Sequence, residues 1–504
     1  MAPASKMRLN VLSAVLAGFG LRILFVLKFP VTDAGDSPFY IELAWNWLKH
    51  HLYGLVVNGH LMPVDMRVPG YPAFLASIFA VAGRSARAVM SAQVALDMLT
   101  CFAVALIAAL IASHFAPPAA RGRVAIAALW LAALCPFTAN YTAAVLAETL
   151  AIFLTAVAIL ALLLTEIGAD SALDSTARWN SRLSPWFLGG LIVGIGTLVR
   201  PETPLLLFAA GLVLLWKWSR PANWPRFLRA VALMALGLLL PLVPWAARNA
   251  GTLHKLQFLA PRYGELPGEL APRGFDAWEH TWLWRFRDAF LVDWNLDSEK
   301  IDLADIPASA FDSPQQRARV AELLDDYNKT RTLTPAEDRA FGEIARQRTA
   351  LHPLRTWIRI PLLRSLALWF APRVELLPYS GQLFPISSEW ENDREDFCVS
   401  ATLVAVNAIY LALAAIGAVR TWRYAPPRPA IAFLLTFILV RTAFFARFVE
   451  TPEPRYMLEC FPAVIALGAL AFAPALSSPQ SARDGSSAGK FAETVPSPGL
   501  PAQP

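Results

Sequence analysis

Residues 9–29 read LNVLSAVLAGFGLRILFVLKF, a nearly uninterrupted apolar run. It is long enough for a helix to cross a bilayer core of about 30 Å, which takes about 20 residues. The run is too long for the apolar part of a removed signal peptide and lacks a small-residue cleavage site, so it reads as a retained membrane anchor. Further apolar segments follow at about 88–114, 123–139, 143–165, 185–199, 203–217, 227–246, 397–419, 430–446 and 457–474. Segment 70–83 is shorter and reads as an interfacial or partial helix, while 185–199 and 203–217 read as a hairpin broken at Arg200, Pro201 and Glu202. The expectation is an all-α polytopic membrane protein of about 10–12 spans.

Composition agrees. The chain has 504 residues, 56% hydrophobic and 16% charged, with a mean hydropathy of +0.45, which excludes a soluble enzyme of several globular domains. The net charge of +6 does not point to nucleic acid, because Lys and Arg sit at the ends of apolar segments rather than on one basic face. Of the four cysteines, Cys101, Cys135 and Cys460 lie inside or at the start of apolar segments together with Cys398, and nothing in their spacing suggests a disulfide framework or a metal knuckle.

Orientation follows from the short loops. Lys6 and Arg8, then Arg121 and Arg123, then Lys217, Arg220, Arg226 and Arg229, then Arg420, Arg423 and Arg428 fall on alternate loops if 70–83 does not cross. The positive-inside rule puts all of them in the cytoplasm. Residues 30–87, the turns near Glu148 and Arg200, the region 249–396 and the turn 447–456 then face the other way. The chain divides accordingly into an N-terminal transmembrane bundle over 1–248 with a first external loop at 30–87, an extracytoplasmic region over 249–396, C-terminal transmembrane helices over 397–475 and a disordered tail over 476–504. The external region carries a helical stretch from about Ser313 to Ala350 and a surface helix at about 354–370 that mixes Trp357, Leu362 and Leu366 with Arg355, Arg359 and Arg364.

Polar residues gather on that outer side. The first loop, Thr32-Asp33-Ala34-Gly35-Asp36-Ser37-Pro38-Phe39-Tyr40, places two carboxylates at the bilayer surface. Asp36 suits the N-cap of a helix running to about Lys49 with Tyr40 and Ala44 beneath it, and that role stands beside a catalytic one. Arg67, in Met66-Arg67-Val68-Pro69-Gly70-Tyr71-Pro72, reads as an interface anchor or a phosphate ligand. Glu148 lies in an otherwise apolar stretch, where a carboxylate is costly unless it lines a polar cavity. Arg200 either pairs with Glu202 or contacts a lipid phosphate. Pro244-Trp245-Ala246-Ala247-Arg248-Asn249 closes a helix at the outer face, and Glu450 to Glu459 puts Arg455 and Tyr456 at the mouth of the last one.

In this order the residues Asp36-x-x-x-Tyr40, Arg67-x-Pro-Gly-Tyr-Pro, Glu148, Arg200-Pro201, Pro244-Trp245-x-x-Arg248-Asn249 and Arg455-Tyr456 resemble the GT-C fold glycosyltransferases. The branch in view is glycosyltransferase family 39 in the broad sense, which holds bacterial proteins similar to protein O-mannosyltransferases and to the aminoarabinose transferases of lipid A. The resemblance covers most of 9–475 and rests on the order of short motifs. It implies a GT-C type helix bundle with an extracytoplasmic α or α+β insertion, in the bacterial inner (plasma) membrane with its active site facing the periplasm or exterior. It further implies a polyprenyl-phosphate sugar donor, a glycolipid, polysaccharide or protein acceptor, and inverting transfer to a hydroxyl. Asp36 matches the family's acidic base, with Asp33 as the other candidate because the family's acidic pair is adjacent and this one is spaced. Glu148 matches its second acidic position, while Tyr40, Arg67, Tyr71, Arg200, Arg248, Arg455 and Tyr456 are the expected substrate-binding residues. A divalent metal held by Asp36 and Glu148 is a candidate cofactor that no ligand cluster requires. The rival is a transporter or flippase of a lipid-linked sugar, which predicts inverted repeats that the sequence does not display.

Overall fold

The computed structural model describes residues 3–33, 35–165, 167, 184–262, 269–424 and 427–474; the tail expected over 476–504 lies outside them. Five helices are long and apolar enough to cross a membrane: Ser5–Lys28, Ala86–Ala112, Pro221–Leu253, Arg394–Trp422 and Arg428–Phe448. Shorter apolar helices, Gly70–Ala82, Glu148–Leu163, Pro185–Thr197 and Leu205–Lys217, pack among them.

The helices are less even in length than the apolar segments that form them, five being long and several shorter, and proline explains part of the difference. Without an N–H and with a ring that clashes one turn back, proline ends or bends a helix. Segment 123–139 breaks at Cys135 into helices Pro118–Ala133 and Pro136–Tyr141. Segment 457–474 opens as a 3-10 turn over Pro454–Cys460 before the helix Phe461–Leu470. Segment 143–165 is helical only from Glu148. By contrast, Trp224–Leu253 runs through Pro241 and Pro244 unbroken.

The first helix is built inside out relative to a soluble one. Leu9, Leu12, Leu16, Phe19, Leu24 and Leu27 point outward, while Arg22 is wholly buried. That guanidinium pairs with Asp97 of Ala86–Ala112 at 2.6 Å and donates to the carbonyls of Gly18 and Ala133, each at 2.8 Å. Lipid solvates the leucines, and the charges must find each other inside.

Helix Gly70–Ala82 has 13 residues and is about 20 Å long at 1.5 Å per residue, short of the bilayer core. It packs on the helix Ser37–His50, with Trp45 and Phe79 in edge contact at 6.3 Å. Between these two helices a hairpin unforeseen from the sequence pairs Gly54–Val57 with His60–Pro63. Its turn residues Asn58 and Gly59 both have positive φ, the conformation that Asn-Gly adopts most readily.

The described part of 249–396 is helical and contains no strand, so of the α or α+β alternatives the first holds. The helical stretch expected from about Ser313 to Ala350 consists of two helices, Pro314–Thr330 and Pro335–Leu351. Arg331 at φ 54 ends the first, and a capping box of Thr334 and Glu337 starts the second. A separate hydrophobic core, with Phe275, Trp278, Trp282, Val292, Leu324 and Phe341, holds this region together. From Leu354 a π turn leads into Ile360–Phe370. Leu354, Trp357, Ile358, Leu362, Leu366 and Phe370 are exposed along it, whereas Arg364 is buried. An outward apolar stripe of this kind suits a helix lying against a bilayer surface.

Candidate active site

Two backbone approaches bring distant segments together at one end of the bundle. Val31, just after the first helix, donates to the Ala143 carbonyl at 2.8 Å and accepts from the Val145 amide at 3.1 Å. This parallel bridge lays the Asp33–Asp36 loop beside the start of Glu148–Leu163. On the other flank Gly70 donates to the Leu198 carbonyl at 2.6 Å. A Cβ on Gly70 would sit 2.5 Å from that oxygen and 2.8 Å from Val199 Cγ2, so only glycine lets the Arg67 segment reach the Arg200 turn. Gly70→Ala should therefore cost about 1–3 kcal/mol as overpacking, read as earlier thermal unfolding in detergent; unchanged unfolding would show that the two segments are not tightly apposed.

Asp36 occupies the N-cap position of Ser37–His50, but its side chain makes no capping hydrogen bond. That corrects the capping expectation, and the reason is a stronger partner: Arg67 Nη2 donates to Asp36 Oδ1 at 2.7 Å, with both side chains partly accessible. Burial alone would raise the Asp36 pKa, yet Arg67 and then Arg455 hold it below the usual carboxylate value. Asp33 is exposed, and no hydrogen bond or ion pair reaches its side chain among the described residues.

Glu148 is 3% exposed and faces two guanidinium groups, with Arg200 Nη2 at 3.2 Å and Arg455 Nη1 at 3.8 Å. The same Arg455 nitrogen would lie 4.0 Å from a Cβ on Gly35, whose φ is +54. Arg455 thus stands between Glu148 and the loop that carries Asp36. Arg200 also has its Nε 3.3 Å from Glu202 and 3.4 Å from Glu459, so the local pair with Glu202 exists as one strand of a larger network. Arg441 closes it, 2.6 Å from Glu459 and 3.5 Å from Glu202. Tyr456 stacks on Phe445 at 4.5 Å and donates to Glu453 at 2.7 Å, while Glu453 also lies 2.5 Å from Arg455 Nε.

No family model matches the sequence, and no curated protein matches it. Solved structures do. The Archaeoglobus fulgidus oligosaccharyltransferase in its apo form has a TM-score of 0.47 at 14% identity, covering 92% of this chain and 50% of that one. The same enzyme in complex with an inhibitory peptide and a dolichol-phosphate scores 0.47 at 14% identity, with the same coverage. ArnT from Cupriavidus metallidurans bound to undecaprenyl phosphate scores 0.38 at 14% identity, covering 94% of this chain and 78% of that one. The chain spans about half the length of the oligosaccharyltransferase it matches.

Of the residues singled out from the sequence, Asp36, Arg67, Glu148, Arg200, Arg455 and Tyr456 come together. Tyr40 lies just beneath, buried and in edge contact with Tyr71 at 5.0 Å. Two others build walls rather than line the site, a correction to their expected role. Tyr71 is fully buried and donates its hydroxyl to Gln93 at 2.9 Å, and Gln93 in turn donates to the Ala144 carbonyl at 2.7 Å. Arg248 donates to the carbonyls of Tyr53 and Val64 at 2.6 and 3.0 Å, pinning the hairpin loop to Trp224–Leu253. Arg248 also donates to Asn249 Oδ1 at 2.9 Å, so its guanidinium satisfies two loop carbonyls and a neighbouring side chain.

The sequence reading did not select Glu202, Arg441, Glu453 or Glu459 as site residues. Arg441, inside an apolar helix, and Glu459, at the edge of another, carry the same signal as Glu148, a charge whose burial demands a partner. At Asp36 and Glu148 a divalent metal would compete with guanidinium groups already in place. Arg67, Arg200 and Arg455 already compensate the two carboxylates, and a dication would meet those guanidinium groups.

Proposed function

We propose that this chain is a membrane glycosyltransferase that moves a sugar from a polyprenyl-phosphate donor to an acceptor hydroxyl with inversion. The observation that carries the reading is the position of Arg455 between Glu148 and the Asp36 loop, which joins carboxylates and guanidinium groups from distant parts of the chain in one partly accessible site. Arginine offers phosphate a two-pronged donor and keeps its charge, so Arg67, Arg200 and Arg455 suit a phosphate that gains charge as it departs. Asp36 suits the hydroxyl. As the acceptor oxygen bonds to the anomeric carbon, the carbon–oxygen bond to phosphate breaks, its electron pair leaves with the polyprenyl phosphate, and the hydroxyl proton passes to the Asp36 carboxylate. With its pKa held down, Asp36 is a weak base. It acts by orienting the hydroxyl and taking its proton late, once bond formation has made that proton acidic.

The site lies at the C-terminal ends of Pro3–Lys28 and Arg428–Phe448 and at the N-terminal ends of Glu148–Leu163 and Leu205–Lys217. Arg121, Lys217, Arg220, Arg423 and Arg428 occupy the opposite helix ends. On the positive-inside rule this supports a site on the extracytoplasmic face of the bacterial inner membrane, with a glycolipid, polysaccharide or protein as acceptor. The oligosaccharyltransferase and ArnT structures hold dolichol-phosphate and undecaprenyl phosphate respectively, which agrees with a lipid-phosphate carrier. Purified protein in detergent, given polyprenyl-phosphate mannose and a mixture of acceptors, should release free polyprenyl phosphate. A flippase would leave the donor intact, and an intact donor across several sugars would end the enzyme reading.

A further inference from the structure

The external region contains a second group of carboxylates, away from the network described above. Asp276 and Glu279 sit one turn apart on the helix Arg273–Glu279, and Asp293 follows the helix Phe286–Leu291. One oxygen from each lies within 4.8 Å of the others. The setting is apolar, since Phe275, Trp278, Trp282 and Val292 belong to one buried core. Glu279 is 0% exposed and neither of its oxygens has a hydrogen-bond partner; Asp276 Oδ2, on a side chain almost as deeply buried, is also unpartnered.

The nearby cation does not answer them. Arg364 donates to the carbonyls of Leu283, Val449 and Glu450 at 2.8, 2.9 and 2.7 Å, and no ion pair joins it to the cluster among the described residues. Two buried carboxylates and a half-buried third, with no ion pair among the described residues, are costly as bare anions. Something must neutralise them.

We infer that Asp276, Glu279 and Asp293 form a binding site for a hard divalent cation, with calcium as the best match. Oxygens bound to one calcium ion at 2.3–2.6 Å can be no more than about 5 Å apart, and the observed spread meets that limit. The donor set is all carboxylate, with neither imidazole nor thiolate, which disfavours zinc and copper. Carbonyls and water would complete the six to eight ligands that calcium takes. Its effect would be to tie helix Arg273–Glu279 to the chain after Leu291, beside the Arg364 anchor on Val449 and Glu450, only a few residues before Glu453 and Arg455. The inference stands on these residues alone and is independent of the proposed reaction.

The competing tenant is a proton. Burial, and then Asp293 and Asp276, raise the Glu279 pKa well above its ordinary value, so a cluster held by shared protons is the alternative to exclude.

The full chain, stripped with EDTA in detergent, can be titrated with terbium as a calcium probe, exciting the adjacent Trp278 and Trp282 and reading terbium luminescence. Thermal unfolding with calcium, magnesium or manganese runs in parallel. Wild type should show saturable luminescence displaced by calcium, and calcium should delay unfolding. Glu279→Gln should weaken terbium binding at least tenfold, as should Asp293→Asn, whose more accessible position makes it the safer variant to fold. Absence of any cation effect on wild type, or equal binding by both variants, would overturn the site. So would a Glu279→Gln protein that unfolds later than wild type in EDTA while wild type ignores every cation, because that pattern belongs to protonated acids.

Discussion

Asp36→Asn should lower sugar transfer by about 10²–10⁴-fold, the range that general-base assistance contributes, while leaving the protein folded and inserted. The substitution is close to silent structurally. An asparagine oxygen can still accept from Arg67 where Oδ1 now does at 2.7 Å, and Asn is as good as Asp at a helix N-cap position. What disappears is the negative charge and the ability to take a proton, so turnover should fall with little change in the donor concentration needed for half-maximal rate. Donor-dependent release of polyprenyl phosphate measures both. Full activity in Asp36→Asn, with loss in Asp33→Asn instead, would move the base to the exposed neighbour. Full activity in both would remove the first loop from the chemistry.

Arg200→Met should have the largest combined effect on stability and donor use. Arg200 lies 3.2 to 3.4 Å from Glu148, Glu202 and Glu459, and Glu148 and Glu459 are almost completely buried. Removing the guanidinium leaves Arg455 as the remaining cation near Glu148, and Arg441 must serve both Glu202 and Glu459. Breaking a buried pair from one side costs about 3–5 kcal/mol, because an uncompensated charge stays behind. Unfolding should move to clearly lower temperature, and donor affinity should weaken through loss of a phosphate ligand. The double variant Glu148→Gln/Arg200→Met separates the two effects: it should recover part of the stability, since one stranded carboxylate is gone, and recover none of the transfer. A single Arg200→Met protein as stable and active as wild type would mean the buried network is not coupled to the site.

Several features were legible from residue order. A bilayer-length apolar run after Arg8, the helix start at Ser37-Pro38, the starts and stops near Ala86, Arg394, Trp422 and Arg428, and the isolation of Glu148 all follow from local rules about which side chains lipid accepts. Other features were hidden for a physical reason. The hairpin at Asn58-Gly59 has strands of only four residues each, Gly54–Val57 and His60–Pro63, too short for a hydrophobic alternation to announce it. Prolines at 136 and 241 look alike in sequence, yet the first breaks a helix and the second is carried through one. The carboxylates at 276, 279 and 293 read as ordinary external-region acids, because burial in that region comes from a core assembled across about seventy residues.

By itself, then, the sequence determined that this is a helical membrane protein with carboxylates and arginines at defined helix ends, because solvation by lipid acts on each segment separately. Tertiary structure alone decided which of those charges meet. The Val31–Ala144 bridge and the close approach of Gly70 to Leu198 draw Asp36 to Arg67 and Glu148 to Arg200 and Arg455, and they turn Tyr71 and Arg248 into supports. Pairings across such separations depend on the packing of whole helices, which no local pattern of residues encodes.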